Sequence, residues 1–461
     1  MKRYINMLSI RSILLSALAI SFVQIFLSSC QKYLDAKPDK SLVTPQTIQD
    51  LQGLLDYFPF INNQCSDMCG VAADNYFLTD AVFQSFPDNM KAAYLWQDGM
   101  FNNTPDWQNE YTVVYNANVV LDNLKNIPRI ITNATAWDNC KGSALVFRAK
   151  SFWEIAQIWA KAYDSTTDNQ DLGIPLRLTS DFNVKSVRST MKETYDQIIN
   201  DLMEAIPLLP DLPVTPFRPS KCAAYGLLAR TYLTMRHYTE AGLYADSCLQ
   251  VNSNLLDYNS LDSTSTNPFP SISLGNAEDI FHTTTQWFRY NLYPAYTNMD
   301  TTLLSLYAPN DLRKALFFNK NAPGSYGFKG SYDGTIANYN GIATDEMYLI
   351  RAECYAREGK VSLAMNDLNT LLIKRWKIST FIPYTASNAE DALKLILTER
   401  RKELVCRMLR FTDIKRLNKE GADITLKRII NGQEYTLPPN DPRYALPIPE
   451  NVIQLTGMQQ N

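Results

Sequence analysis

The chain has 461 residues, 44 basic and 47 acidic side chains, and a net charge of −3. That mildly acidic balance argues against a nucleic-acid partner. The length exceeds what a single core usually organises, so two sub-domains or a scaffold with large insertions is expected.

Lys2, Arg3 and Arg11 precede an uncharged run, Ile13 to Leu27, that closes on Leu27-Ser28-Ser29-Cys30. A basic start followed by a short apolar run reads as a secretory signal, and the run falls short of the roughly 20 apolar residues a spanning helix needs. Small residues at 28 and 29, followed directly by Cys30, resemble a bacterial lipobox. The resemblance implies that the Cys30 thiol takes a diacylglycerol and becomes the new N-terminus. Residues 1–29 are therefore expected to be a lipoprotein signal peptide and 30–46 the lipidated N-terminus and tether. Removing 1–29 lowers Lys+Arg from 44 to 41, a mature charge of −6 over 432 residues. No later apolar stretch approaches spanning length.

Ile48, Leu51, Leu55 and Phe58 have helical spacing. Residues 60–105 read as loop-rich. Helix is predicted over Asp106–Leu124, with Tyr111, Val114, Tyr115, Asn118 and Leu121 near one face, and again over Trp137–Tyr163. Gly173-Ile174-Pro175-Leu176 is a punctuated extended segment. Ser189–Leu209 reads as a helix with Thr190 and Glu193 as a capping box. Ala389–Leu417 reads as one helix carrying Glu399-Arg400-Arg401-Lys402-Glu403, most simply a solvated or salt-bridged face. The tail from Gly432 shows little regular pattern.

An internal repeat lies within this order. Ala229, Tyr232, Ala241 and Cys248 have separations of 3, 9 and 7, and Ala352, Tyr355, Ala364 and Leu371 repeat them 123 residues later. Each set spans two short helices joined by a turn. Small residues at the first and third positions let the helices approach closely, the packing logic of a tetratricopeptide hairpin. Residues 252–343, between the copies, are rich in polar residues and Tyr, and an insertion of that size is usually functional. Phe281, Trp287, Phe288, Tyr290, Tyr293 and Tyr296 fall within sixteen residues of it.

Eight Cys, seven once Cys30 is assigned to lipid, do not form a recognisable disulfide framework. Cys222, Cys248, Cys354 and Cys406 sit in apolar helical patterns. Cys65 and Cys69 could be bonded or reduced; with no nearby His and no second pair, a metal site is not expected. His237 falls in a hairpin turn, where exposure is expected, and His282 in the insertion. No Ser-His-Asp order, phosphate loop or H-E-x-x-H supports catalysis.

Gly142-Ser143-Ala144 with Arg148-Ala149, then Gly173-Ile174-Pro175-Leu176, Asp201-Leu202 with Ala205, and Leu227-Leu228-Ala229-Arg230 resemble the SusD/RagB family of bacterial outer-membrane nutrient-binding lipoproteins. So do Asp345-Glu346-Met347-Tyr348-Leu349-Ile350-Arg351-Ala352-Glu353, Glu399-Arg400-Arg401 with Glu403-Leu404, Arg410-Phe411 with Asp413, Pro447-Ile448-Pro449 and the final Gln460-Asn461. Val405-Cys406-Arg407-Met408 departs from the small, Gly-containing stretch usual there, and relatives often continue past the final Asn with Pro-Gly-Tyr. The resemblance implies a mostly α fold: tetratricopeptide-like hairpins forming a scaffold over 47–461, with loop-rich insertions at about 60–105 and 252–343 carrying the ligand site. It also implies no enzyme activity or cofactor. The expected partner is a SusC-like TonB-dependent outer-membrane transporter, with the protein lipid-anchored and facing the cell exterior. The ligand would be a glycan, or a peptide in some members; a scaffold that holds only a protein partner is the alternative from another class.

Sugars present apolar faces to flat rings and hydroxyls to polar side chains. The candidate ligand-binding residues are therefore Asp74, Asn75, Tyr76, Trp96 and Asn102 in the first loop region, and Trp287 and Tyr290 in the second. Trp96 and Trp287 sit in polar loop sequence and are expected to be exposed, whereas Trp107 and Trp159 sit in helical patterns and are expected in the core. The anchor is directly testable. Cys30→Ser removes the acylated thiol and leaves the export signal, so the variant should leave the membrane fraction of cells lacking the transporter. Retention there would show that Cys30 is not the anchor.

Overall fold

Helices carry the structure because their apolar stripes and caps are locally encoded. The computed structural model describes residues 45–98, 105–285, 296–321 and 324–461. In α1 (Ile48–Leu55) Thr47 and Asp50 form a capping box. The long pair α2 (Pro105–Leu124) and α3 (Ala134–Trp159) pack together, and α4 (Met191–Ala205) packs on α3. Thr190 and Glu193 form the predicted box at the start of α4. Gly142 permits the close passage of the chain after α4, since a Cβ there would meet Leu209 Cγ at 2.7 Å. Arg148 of α3 donates to both Asp201 oxygens (2.8 and 2.7 Å) and to Asn118 Oδ1 (2.9 Å), tying α2, α3 and α4 through one guanidinium.

Two further helix pairs follow the internal repeat. The first is α5 (Lys221–Met235) with α6 (Tyr238–Val251), and the second α7 (Thr344–Arg357) with α8 (Val361–Leu372). Packing of α6 on α7 joins them. Ala229, Ala241, Cys248, Ala352, Ala364 and Leu371 are all fully buried, as small residues at helix crossings should be. Tyr232 and Tyr355 are half-buried, and so is His237, which the turn position had placed in solvent.

Three expectations are corrected. Residues 60–105 contain short helices at Met68–Val71, Asp80–Ser85 and Asp88–Tyr94 rather than open loop. The predicted helix 389–417 is broken into α9 (Ala389–Glu403) and α10 (Arg410–Asn418). Cys406 and Met408 take φ of 57° and 61° at the break, left-handed values that no helix continues through. The tail forms a hairpin across Asn431-Gly432, whose φ values of 51° and 75° match a two-residue turn. Its strands are numbered below with the others.

The strands are short and paired in separate ladders. β1 (Tyr76–Phe77) pairs with β3 (Asn298–Met299), β2 (Asp279–Phe281) with β4 (Ile342–Ala343), and β5 (Leu426–Ile430) with β6 (Gln433–Leu437), all antiparallel. Lys415 of α10 donates to the carbonyls of Gln157 and Ala160 (2.8 and 2.7 Å), so a buried lysine completes the C-terminal end of α3. Gln460 exchanges two hydrogen bonds with the Ile448 backbone (2.8 and 2.9 Å), and Asn461 donates to Trp159 O (3.0 Å), which docks the tail on the end of α3.

The Glu399–Glu403 run is salt-bridged but buried. Arg313 of the insertion donates to Glu399 and Glu403 (2.6 and 2.9 Å). Arg375 donates to Glu403 and to Glu278 of the insertion (2.6 and 2.7 Å) and lies over the Tyr258 ring. Arg230 forks onto Glu346 and also reaches Gly341 O (2.6 Å), at the insertion's end. Removing one arm of such a set leaves a buried charge unpaired. Arg375→Leu, which removes the Glu278 ion pair and leaves Glu403 with Arg313 alone, should lower the unfolding free energy in urea by about 3–5 kcal/mol. A loss below about 1 kcal/mol would mean these pairs act like exposed ones.

Candidate functional site

The two loop regions singled out by sequence meet in the structure. The β1–β3 ladder sets Tyr76 opposite Met299 and Phe77 opposite Asn298. Asp300 N donates to Asn75 O (2.8 Å), while Thr284 N donates to Asn62 O (2.8 Å) and Cys65 N to Thr284 O (3.3 Å). These backbone bonds hold 62–77 against Thr284 and against 298–300 as one platform.

Most of the predicted ligand residues build this platform from within. Trp96 is 1 % exposed, and its Nε1 donates to Ala72 O (2.9 Å). This corrects its expected exposure: the indole is held in the core, with the Arg428 guanidinium 5.1 Å from its ring. Arg428 also lies 4.4 Å from the Tyr94 ring and donates to Ala73 O. Tyr76 and Asn75 are buried too, which withdraws them from direct contact with an external ligand. Asp74 is half-buried and claimed by Arg410, which forks onto its two oxygens (2.8 and 2.9 Å), and by Arg401 (3.2 Å). Burial alone would raise the Asp74 pKa, but Arg410 and Arg401 hold it down at about 2. Asn102, Trp287 and Tyr290 lie outside the described residues, as does Cys30.

What faces solvent is the other half of the alternation. Phe77, in β1, is 43 % exposed and Tyr296, two residues before β3, is 38 % exposed, with Gln97 and Asp98 also exposed. Sequence reading chose Tyr76 and missed Phe77. In a strand adjacent residues face opposite sides, so a phase error of one residue exchanges inside for outside. Trp107 and Trp159 are core residues as expected, packed edge to face at 5.1 Å.

His282 anchors the insertion beside the platform. Its backbone N donates to Pro216 O (2.7 Å); its Nδ1 is 2.6 Å from Asp279 and its Nε2 3.6 Å from Asp333. Cys65 and Cys69 are buried free thiols. Cys65, Glu110 and Glu154 bring ligand-type atoms within 4.8 Å of one another. Lys150 already occupies that group, with Nζ 3.3 Å from Cys65 Sγ and bonded to Glu154. Burial and the adjacent Glu154 push the Glu110 carboxyl well above the usual carboxylate range.

An open cleft of about 240 Å³ elsewhere is lined by Trp107, Tyr115, Arg177, Phe182 and residues of the tail. Its polar groups serve its own walls: Arg177 donates to Asp181 O and Val184 O, and Thr179 and Ser180 bond Asp122. It lacks the orienting polar set that a sugar requires.

Residues 32–233 match a family described as starch-binding and associating with the outer membrane, and residues 342–461 match the SusD family. Comparison with curated protein sequences gives no match. Among solved structures the chain is similar to a SusD superfamily protein from Bacteroides thetaiotaomicron (21 % identity, 90 % of this chain and 99 % of that one, TM-score 0.74). It is similar also to a SusD-like carbohydrate-binding protein from Bacteroides vulgatus (20 %, 89 % and 97 %, 0.68) and a SusD superfamily protein from Parabacteroides distasonis (16 %, 91 % and 99 %, 0.69). At these identities the likeness establishes the fold.

The His282 geometry carries a pH dependence. Burial alone would lower its pKa, but the Asp279 and Asp333 carboxylates override this and hold it at about 9. The folded pKa lies above the unfolded value of about 6.5. The imidazolium's stabilisation is therefore complete below about pH 6.5 and is lost as pH rises through about 9. The difference in unfolding free energy between wild type and His282→Gln should shrink by a few kcal/mol between about pH 6 and pH 10. A difference that stays constant would show that His282 is not charged in the fold.

Proposed function

Because the chain belongs to the SusD/RagB family, we propose that it is a surface lipoprotein that captures an oligosaccharide and delivers it to a TonB-dependent outer-membrane transporter. The observation that carries the ligand reading is the β1–β3 ladder. It joins the two sequence regions chosen for sugar chemistry and leaves Phe77 and Tyr296 as exposed rings on one platform. Trp287, Tyr290 and Asn102, in the segments that adjoin this platform in sequence, remain the proposed stacking and hydroxyl-binding partners. Asp74, Asn75, Tyr76 and Trp96 are reassigned to support. A rigid support matters because rings fixed before binding lose little freedom when a sugar arrives.

The membrane role rests on the signal and Cys30. No helix among the described residues is long and apolar enough to cross a membrane, and the family model for 32–233 is described by its outer-membrane association. The protein chain supplies no catalytic step in this reading; it binds, orients and releases.

Calorimetry of the mature protein against a panel of oligosaccharides and peptides tests the ligand class. An oligosaccharide should bind, and Phe77→Ala and Tyr296→Ala should each weaken it roughly 2- to 10-fold, the value of one stacked ring, with an unchanged far-ultraviolet spectrum. Binding of peptides without any oligosaccharide would overturn the glycan assignment. Full affinity in the double variant would remove the platform from the site.

A further inference from the structure

Between α3, α5 and the elbow that separates α9 from α10 lies a cavity of about 20 Å³. Its lining includes Trp153, Glu154, Gln157, Arg230, Asn340 and Arg407. Three of these side chains bring buried polar atoms that find no protein partner among the described residues: Trp153 Nε1, Glu154 Oε2, and Nε and Nη2 of Arg407. All three residues are more than nine-tenths buried, at 4, 6 and 5 % exposure.

Arg407 cannot turn to satisfy itself. Its Nη1 donates to Asp345 (3.1 Å), and its guanidinium lies 4.5 Å from the centres of both the Tyr332 and Tyr339 rings. The backbone at this elbow is equally constrained, with φ of 57° at Cys406 and 61° at Met408 on either side of it. Trp153 has its ring beside Arg230, 5.5 Å from the guanidinium carbon, and Arg230 is itself spent on Glu346 and Gly341. Buried N–H groups left unbonded cost as much as a lost hydrogen bond each, and native proteins satisfy them with protein groups or ordered water.

We propose that this cavity is a binding site for one ordered water molecule, accepting from Trp153 Nε1 and from Arg407 and donating to Glu154. The volume fits: about 10–15 Å³ by the same measure holds one water, and a buried water typically makes about three hydrogen bonds. The chemistry selects water over an ion. A halide would accept from the three N–H groups but could not donate to Glu154, and Asp345 already balances the Arg407 charge. A cation would face the N–H groups. Lys150 and Asn340 both donate to Glu154 Oε1, which leaves Oε2 to accept from the water. The water would link α3, which carries Trp153 and Glu154, to the elbow that aims α10 and its platform contact Arg410.

A crystal structure of the wild-type protein at a resolution that shows ordered solvent, with a second crystal soaked in bromide, tests this. One peak of water size within hydrogen-bonding distance of Trp153 Nε1 and an Arg407 nitrogen, without anomalous signal, is expected. Absence of density, a bromide signal at the site, or an Arg407 turned onto a protein acceptor would each overturn the assignment. Trp153→Phe keeps an aromatic ring at this position but removes the pyrrole half of the indole and with it one donor. The peak should lose occupancy and the melting temperature should fall, while Arg407 keeps its place between the two tyrosines. A peak unchanged in occupancy would remove Trp153 as a ligand of the water. If that variant does not fold, the wild-type crystals decide alone.

Discussion

Buried charge is the constraint on which the rest of this structure depends. Glu399 and Glu403 stand one turn apart on α9 and point into the protein, where Arg313 and Arg375 meet them. A carboxylate taken out of water is tolerated only when paired and hydrogen-bonded. Arg313 and Glu278 belong to the insertion, so the insertion must adopt the one placement that closes these pairs. The stability gained by each pair over an apolar equivalent is small or negative. The penalty for misplacing any one of them is large, because it strands several ions at once. Their contribution is therefore to position, in a segment with too little regular secondary structure to position itself.

The same logic explains why residues of the types a ligand site uses are buried within the fold. Carbohydrate recognition calls for aromatic rings, carboxylates, amides and guanidinium groups. A platform built on irregular backbone calls for the same set. Asp74 is fixed by Arg410 and Arg401 from the α9–α10 region, and Trp96, Tyr94 and Tyr76 gather around Arg428 from β5. Composition cannot separate the two uses, because exposure depends on contacts more than 300 residues away in the chain.

What could be read from sequence divides along the same line. The Thr190–Glu193 capping box and the crossing alanines of the two helix pairs depend on residues a few positions apart or on side-chain size alone, and both are present. The break at 404–409 was not legible, since the helical pattern runs on through it; the left-handed turn at Cys406 and Met408 follows from tertiary demands on Arg407. The tail hairpin was legible and overlooked: Asn431-Gly432 is a strong two-residue turn signal. The inward choice of Tyr76 over Phe77 was not, because a two-residue strand offers no alternation from which to set the phase.

A division of labour follows from these contacts. Ion pairs pin the insertion to the helical scaffold, Glu278 to Arg375, Asp311 to Lys402 and Arg313 to Glu399 and Glu403, while the His282 backbone ties it to the segment before α5. Between the pins its described backbone runs as loops, strands of two or three residues and helices of five or six, and surface segments of this kind tolerate length and side-chain changes better than long packed helices. The family models match 32–233 and 342–461, which hold the numbered helices other than α6, and leave 234–341 between them. A scaffold that fixes an insertion through buried ion pairs can present different rings and polar groups on one platform without rebuilding its core. In the proposed reading, ligand chemistry would belong to the segments with the least regular structure, and its position to the ion pairs that hold them.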